Sequence, residues 1–191
     1  MSKKTPTKSK PRGARQKKSV PFWAVMVGIV AALGIGYAFL SGEPTAYVPV
    51  AYAEEDVAND KPIHAIHEMK GGPVIPFLPE DQPQPEISFA ESFYDFGAVW
   101  PTAVLKHKFI VRNTGEAPLT ISRAYTTCGC TTADISARVI PPGKLAVISV
   151  RFDAGFHDTR GQTVSRGVII ENNDRGNSKA EVWVKASVNN G

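Results

Sequence analysis

An all-β domain is predicted for residues 86–191, on three observations. Short runs alternate polar with apolar side chains, as in Lys106-His107-Lys108-Phe109-Ile110-Val111-Arg112 and Val147-Ile148-Ser149-Val150-Arg151-Phe152. Turn chemistry separates the runs at Asn113-Thr114-Gly115-Glu116, Pro141-Pro142-Gly143-Lys144 and Asn172-Asn173-Asp174-Arg175-Gly176. No amphipathic helix intervenes, which removes parallel βαβ winding.

The elements before that domain set its location. The chain has 191 residues and a formal net charge of +4, but residues 1–19 hold eight basic groups and no acid. Everything after residue 19 therefore carries −4, and the basic pI of 9.1 belongs to the tail. A nucleic-acid reader would need a basic face on the folded part, so that class is excluded.

Residues 20–40 are read as a transmembrane helix. Pro21–Leu40 is twenty residues without a charge, about 30 Å of helix and the thickness of a bilayer's hydrocarbon core. Trp23 and Tyr37 lie near its two ends, where interfacial aromatics are favoured. The basic tail keeps the N-terminus cytoplasmic and places the remainder outside, in the periplasm for a bacterial inner-membrane protein. A leader cleaved after Ala51-Tyr52-Ala53 is the alternative; the apolar core is too long for a typical leader, which favours the retained anchor.

Residues 41–85 contain eight prolines, with eight acids against two lysines. They are expected to form a semi-rigid, mostly unfolded spacer with a reach of roughly 35–40 Å. Within it, Asn59–Gly72 carries helix-like boundary signals, and a short helix would put His64 and His67 on one face. With Met69 they are candidate weak metal ligands; the simpler reading docks Ile63 and Ile66 on the domain.

In the domain, strands are expected near Glu86–Ala90, Tyr94–Val99, Leu105–Asn113, Leu119–Thr126, Leu145–Phe152, Gly167–Glu171 and Ala180–Val188. Seven strands in this span describe an antiparallel sandwich of the immunoglobulin type. Such a sandwich often joins its sheets through cysteines far apart in sequence. Here Cys128 and Cys130 are the only cysteines, so packing alone must hold the sheets together. The core candidates are Phe89, Phe96, Phe109, Ile121, Ile148, Phe152, Ile170 and Trp183, with His107 expected on the outer face of its strand.

Several motifs resemble a known family. They are Tyr94-Asp95-Phe96-Gly97, His107-Lys108-Phe109, Arg112-Asn113-Thr114-Gly115 with Pro118-Leu119, Thr127-Cys128-Gly129-Cys130-Thr131, Ile140-Pro141-Pro142-Gly143 and Val150-Arg151-Phe152-Asp153. In this order they resemble the bacterial domain-of-unknown-function (DUF) 1573 family, related to the major sperm protein and Hydin-type (ASH) immunoglobulin-like domains. The resemblance covers residues 86–188 and implies a seven-stranded sandwich and an exported location. It implies no defined activity. Ala154 and Arg175 depart from the usual pattern, and neither touches the cysteines.

Cys128-Gly129-Cys130 admits three readings. A structural disulfide would be a weak staple, since closing three residues contributes about 1.6 kcal/mol by chain entropy. A redox couple would use the hydroxyls of Thr126, Thr127, Thr131 and Thr132, with Arg123 the closest basic residue in sequence. A soft-metal site would present two thiolates to Cu(I), with His107 and His157 as further candidates whose distance the sequence does not fix.

No Gly-x-Ser-x-Gly elbow, His-Glu-x-x-His pair or phosphate loop occurs, so the chain is expected not to be an enzyme. The favoured function is a membrane-anchored, exported binding module whose cysteine loop holds Cu(I) or exchanges with partner thiols. The alternative is an interaction scaffold in an envelope complex, with incidental cysteines. Either way the partner is an envelope protein that the sequence does not identify.

Overall fold

The computed structural model describes residues 51–68, 71 and 74–191. The basic tail, the apolar segment 20–40 and Met69 lie outside the described residues. Among the described residues ten strands form two sheets, where seven strands are expected from sequence. They are β1 (Ile63–Ala65), β2 (Ile87–Phe89), β3 (Phe93–Val99), β4 (Val104–Asn113), β5 (Leu119–Thr126), β6 (Thr131–Ile135), β7 (Val139–Ile140), β8 (Leu145–Asp153), β9 (Thr163–Asn172) and β10 (Lys179–Val188). One sheet has the order β1-β6-β8-β4-β2 and the other β3-β10-β9-β5-β7.

All seven expected strands are present within a few residues of their bounds. Three others lack a strong local signature. β6 alternates inward Thr131, Ala133 and Ile135 with outward Thr132 and Asp134, a stripe too small and polar to read as apolar periodicity. β7 is two residues long and ends at Pro141. β1 stands where a short helix is one reading around His64: Ile63 docks on the domain as the simpler reading has it, Ile66 remains exposed, Ala65 is buried, His64 is exposed, and the strand pairs antiparallel with β6. An edge strand offering unpaired backbone groups outweighs local helix propensity here.

The sheet is also not wholly antiparallel. β10 pairs in parallel with β3, from Trp183 opposite Phe93 to Val188 opposite Val99. Between Lys185 and Ser187, β3 accommodates one extra residue. Gly97 supplies the turn there at φ +69°, where a side chain would be strained, and its N–H donates to Asp95 Oδ1 at 2.9 Å.

The core lies between the sheets. Phe109, Ile121, Ile148, Phe152 and Ile170 are buried as expected, and Phe89 and Phe96 pack on the margin of the same cluster. Trp183 is not in it. Strand alternation turns Val182 and Val184 inward, so Trp183 lies outside across Gly167, where even a methyl group would crowd the indole at 3.0 Å. His107 differs in the opposite sense. It is in phase with Phe109 and Val111, is 6% exposed, and stacks on Tyr94 at 3.7 Å between centroids. Its Nε2 is 3.0 Å from Glu91 Oε2.

At one end of the sandwich, buried side chains tie the loops. Asn113 Nδ2 donates to the Ala117 and Ile140 carbonyls at 2.8 and 2.9 Å, while its Oδ1 accepts from Glu86 and Gly115 N–H. Asn173 Oδ1 accepts from Thr120 N–H, and Asp174 Oδ2 from Ile87 N–H. The asparagine turns are therefore pegs for neighbouring strands as well as reversals of the chain.

Linker residues 51–68 are attached to this body. Val57 bridges Leu145, Ser136 Oγ donates to the Ala58 carbonyl, and Arg138 N–H donates to the Asp60 carbonyl. Lys144 Nζ is 2.8 Å from Asp56 Oδ1, and that hydrogen bond holds the Asp56 carboxyl below its ordinary range. The expected unfolded spacer is thus, over this stretch, an added edge to the sandwich.

Candidate functional site

The cysteine loop joins β5 in one sheet to β6 in the other, at the end opposite the asparagines. Cys128 and Cys130 are joined as a disulfide, with Cα atoms 5.2 Å apart. Gly129 between them has no left-handed backbone angle; the ring of Phe156 lies over it, 3.4 Å from where a Cβ would stand. A Cβ there would meet the ring at ordinary van der Waals distance, so neither the backbone angle nor the ring demands glycine at this position.

The loop is braced on three sides. Thr126 Oγ1 donates to the Cys128 and Thr131 carbonyls, and Thr131 N–H closes a turn onto the Cys128 carbonyl. Thr127 N–H donates to the Gly167 carbonyl, and Gly167 N–H returns a bond to Thr127 Oγ1 at 2.9 Å. Asp153 N–H donates to the Cys130 carbonyl. Of the hydroxyls expected to face sulfur, Thr126 donates to backbone carbonyls, and Thr127 Oγ1 accepts from backbone N–H. Thr131 Oγ1 lies 3.6 Å from Cys130 Sγ.

The two sulfurs occupy different surroundings. Cys130 is 3% exposed, whereas Cys128 is half-buried and lines an open depression of about 550 Å³. Thr127, Gly129, Phe156, His67, His157 and Arg166 complete the lining. Arg166 Nε donates to Cys130 Sγ at 3.1 Å, and burial lowers the guanidinium pKa. Among the described residues Arg166 has no carboxylate partner, so a cation stands against the buried sulfur with no anion to balance it.

Arg166 was not visible from sequence, where Arg123 is the nearest basic residue. Arg123 instead lies over the Tyr125 ring at 4.1 Å. The register supplies the explanation. β5 and β9 pair antiparallel with Thr126 opposite Val168, so two residues beyond the end of β5 and two back along β9 bring Cys128 opposite Arg166. Strand pairing fixes that neighbour; spacing along the chain does not.

The histidines separate. His64 Nδ1 is 2.7 Å from Asp134 Oδ1 on the exposed face of β6. His67 lies beyond β1 beside the cysteine loop, its Nδ1 2.9 Å from the Thr126 carbonyl. His157 also reaches the depression and packs edge-on against Phe156, while His107 lies in the stack with Tyr94. Among the described residues, no three His, Cys, Asp or Glu side chains are grouped to hold a metal ion.

A protein of unknown function from Porphyromonas gingivalis W83 is similar at 21% identity and a TM-score of 0.49, over 54% of this chain and 46% of that one. The ASH/PapD-like domain 7 of human CEP192 is similar at 10% identity and a TM-score of 0.41, over 63% of this chain and 96% of that one. The periplasmic chaperone SfaE is similar at 9% identity and a TM-score of 0.37, over 55% and 56%. No curated protein matches the sequence. The family model for proteins of unknown function DUF1573 matches residues 87–188, more than half the chain and the whole span from β2 to β10, and this protein belongs to that family.

Proposed function

We propose that this protein is a membrane-anchored, exported module whose Cys128–Cys130 disulfide exchanges with the thiols of an envelope partner. The supporting observation is the asymmetry of the pair: Cys128 borders the depression, and Cys130 is buried against Arg166 Nε at 3.1 Å. An incoming thiolate meets the accessible Cys128, forms a new S–S bond to it and breaks the bond to Cys130. The electron pair leaves on Cys130 Sγ, where the guanidinium stabilises the thiolate. A second partner thiol then attacks the mixed disulfide and releases Cys128, so the partner is oxidised and the pair reduced.

Arg166 favours that direction for a specific reason. In the disulfide state it is a partly desolvated cation beside a neutral sulfur; in the dithiol state it faces an anion. Cu(I) binding by the reduced thiolates is the second reading, favoured by His67 and His157 lining the same depression as Cys128. The bonded state of the cysteines and the asymmetry at Arg166 favour exchange as the primary role.

The test uses the full-length protein in detergent with glutathione as probe thiol. Exchange predicts a reversible two-electron equilibrium and, on acid quenching, a mixed disulfide at Cys128. A pair that stays oxidised throughout the titration, or an adduct confined to Cys130, overturns the reading.

A further inference from the structure

We propose that His67, delivered by the linker rather than by the sandwich itself, is the general base of the exchange site. This rests on the exchange reading above. A carbonyl oxygen only accepts hydrogen bonds, so the 2.9 Å contact to Thr126 requires His67 Nδ1 to carry the hydrogen. In the neutral ring that leaves Nε2 with its lone pair. His67 lines the same depression as Cys128, and the adjacent Ile66 carbonyl accepts from Thr126 N–H at 3.1 Å. Backbone and ring are thus both tied to the residue that ends β5.

The remaining groups make the assignment selective. Among the described residues the depression has no acidic residue in its lining, and Arg166 is directed to Cys130 and to the Ser165 carbonyl. His157 shares the wall on the exposed loop after β8. Of the two imidazoles, His67 is the one whose tautomer is set by a backbone carbonyl.

The proton balance follows the electron balance. His67 Nε2 takes the proton of the first partner thiol; the resulting thiolate attacks Cys128 Sγ, and the electron pair goes to Cys130 Sγ beside Arg166. When the second partner thiol attacks the mixed disulfide, Cys128 leaves as a thiolate and takes the proton back from His67. The second partner thiol's own proton passes to Cys130 or to solvent. No reactant beyond the partner dithiol is needed.

The residue follows the edge strand β1, whose Ile63 and Ala65 are buried. β1 is three residues long and pairs only with β6 among the described strands. The edge that closes the sandwich therefore also completes its chemistry.

The test is the rate at which dithiothreitol reduces Cys128–Cys130 in the full-length protein, followed against pH. His67→Asn keeps an N–H for the Thr126 carbonyl and removes the base. It is expected to slow reduction about tenfold at neutral pH, less than a typical general-base effect because a few per cent of the thiol is already ionised there, with the deficit closing by about pH 9. Equal slowing at every pH would make His67 a structural peg and overturn the proposal, as would an unchanged rate. The same pH-dependent loss in His157→Asn, with His67→Asn unaffected, would move the base to the other wall and also overturn it. A wild-type pair that dithiothreitol cannot reduce would instead overturn the exchange reading beneath it.

Discussion

The two ends of the sandwich use polar residues in opposite ways. At the asparagine end, Asn113 is fully buried and every polar atom of its side chain is satisfied by a neighbouring loop or strand. At the cysteine end, Arg166 is partly buried against a neutral sulfur, and Cys128 opens to a depression. Sequence motifs mark both ends, but hydrogen-bond completeness separates them: a satisfied buried group stabilises the fold, and an unbalanced charge beside a reactive bond is available for chemistry.

The largest expected effect breaks the asparagine end. Asn113→Ala orphans the Ala117 and Ile140 carbonyls and the N–H groups of Glu86 and Gly115. At about 1–3 kcal/mol for each buried group left unpaired, with partial rescue by water, the loss is roughly 3 kcal/mol. Urea denaturation of the full-length protein in detergent measures it. The glutathione equilibrium of the still-folded fraction is expected to be unchanged, because the substitution lies at the opposite end. A stability change below about 0.5 kcal/mol, the size of an ordinary surface substitution, would refute the peg role.

The complementary break is Arg166→Met, which keeps an apolar stem and removes the cation. A hydrogen bond to a charged group contributes about 1.5–3 kcal/mol, so the dithiol form should lose roughly tenfold in equilibrium against glutathione. The shift is toward the disulfide, and denaturation of the oxidised protein should barely change. An unaltered redox equilibrium would leave the 3.1 Å contact without functional consequence.

What could be read in advance follows the range of the interaction. The seven expected strands are local, written in alternation and turns, and the structure contains them all. The errors are non-local. β1 forms because β6 leaves an open edge, and β3 joins β10 in parallel because the final strand returns beside it. Trp183 and His107 exchange their expected sides through the phase of one strand each; for His107, the in-phase run to Phe109 and Val111 was already in the sequence. At the site the cysteines were legible and their asymmetry was not. Arg166 reaches Cys130 across 36 residues, which no motif marks, and His67, a candidate ligand in the sequence, is brought beside Cys128 only by the docking of the linker.

The smallest expected effect lies on the seam between β3 and β10, a control that should leave exchange untouched. Lys185 Nζ is 2.8 Å from Asp95 Oδ2, and the Lys185 hydrogen bond, followed by the Gly97 N–H, lowers the Asp95 carboxyl from its ordinary 3.8. A folded-state pKa below the unfolded one means that folding favours the carboxylate. The stabilisation is therefore fully present above about pH 5 and fades as pH falls through the lowered value. Because the pair is largely solvated, its contribution is about 0.5 kcal/mol or less. Asp95→Asn should cost that amount at neutral pH and progressively less as pH falls toward about 2, where the wild-type carboxyl is increasingly protonated. Comparing urea midpoints of wild type and variant at the two values tests it. A cost independent of pH would assign the effect to the Gly97 turn rather than to the charge, since the asparagine oxygen can still accept that N–H only if the turn itself is intact.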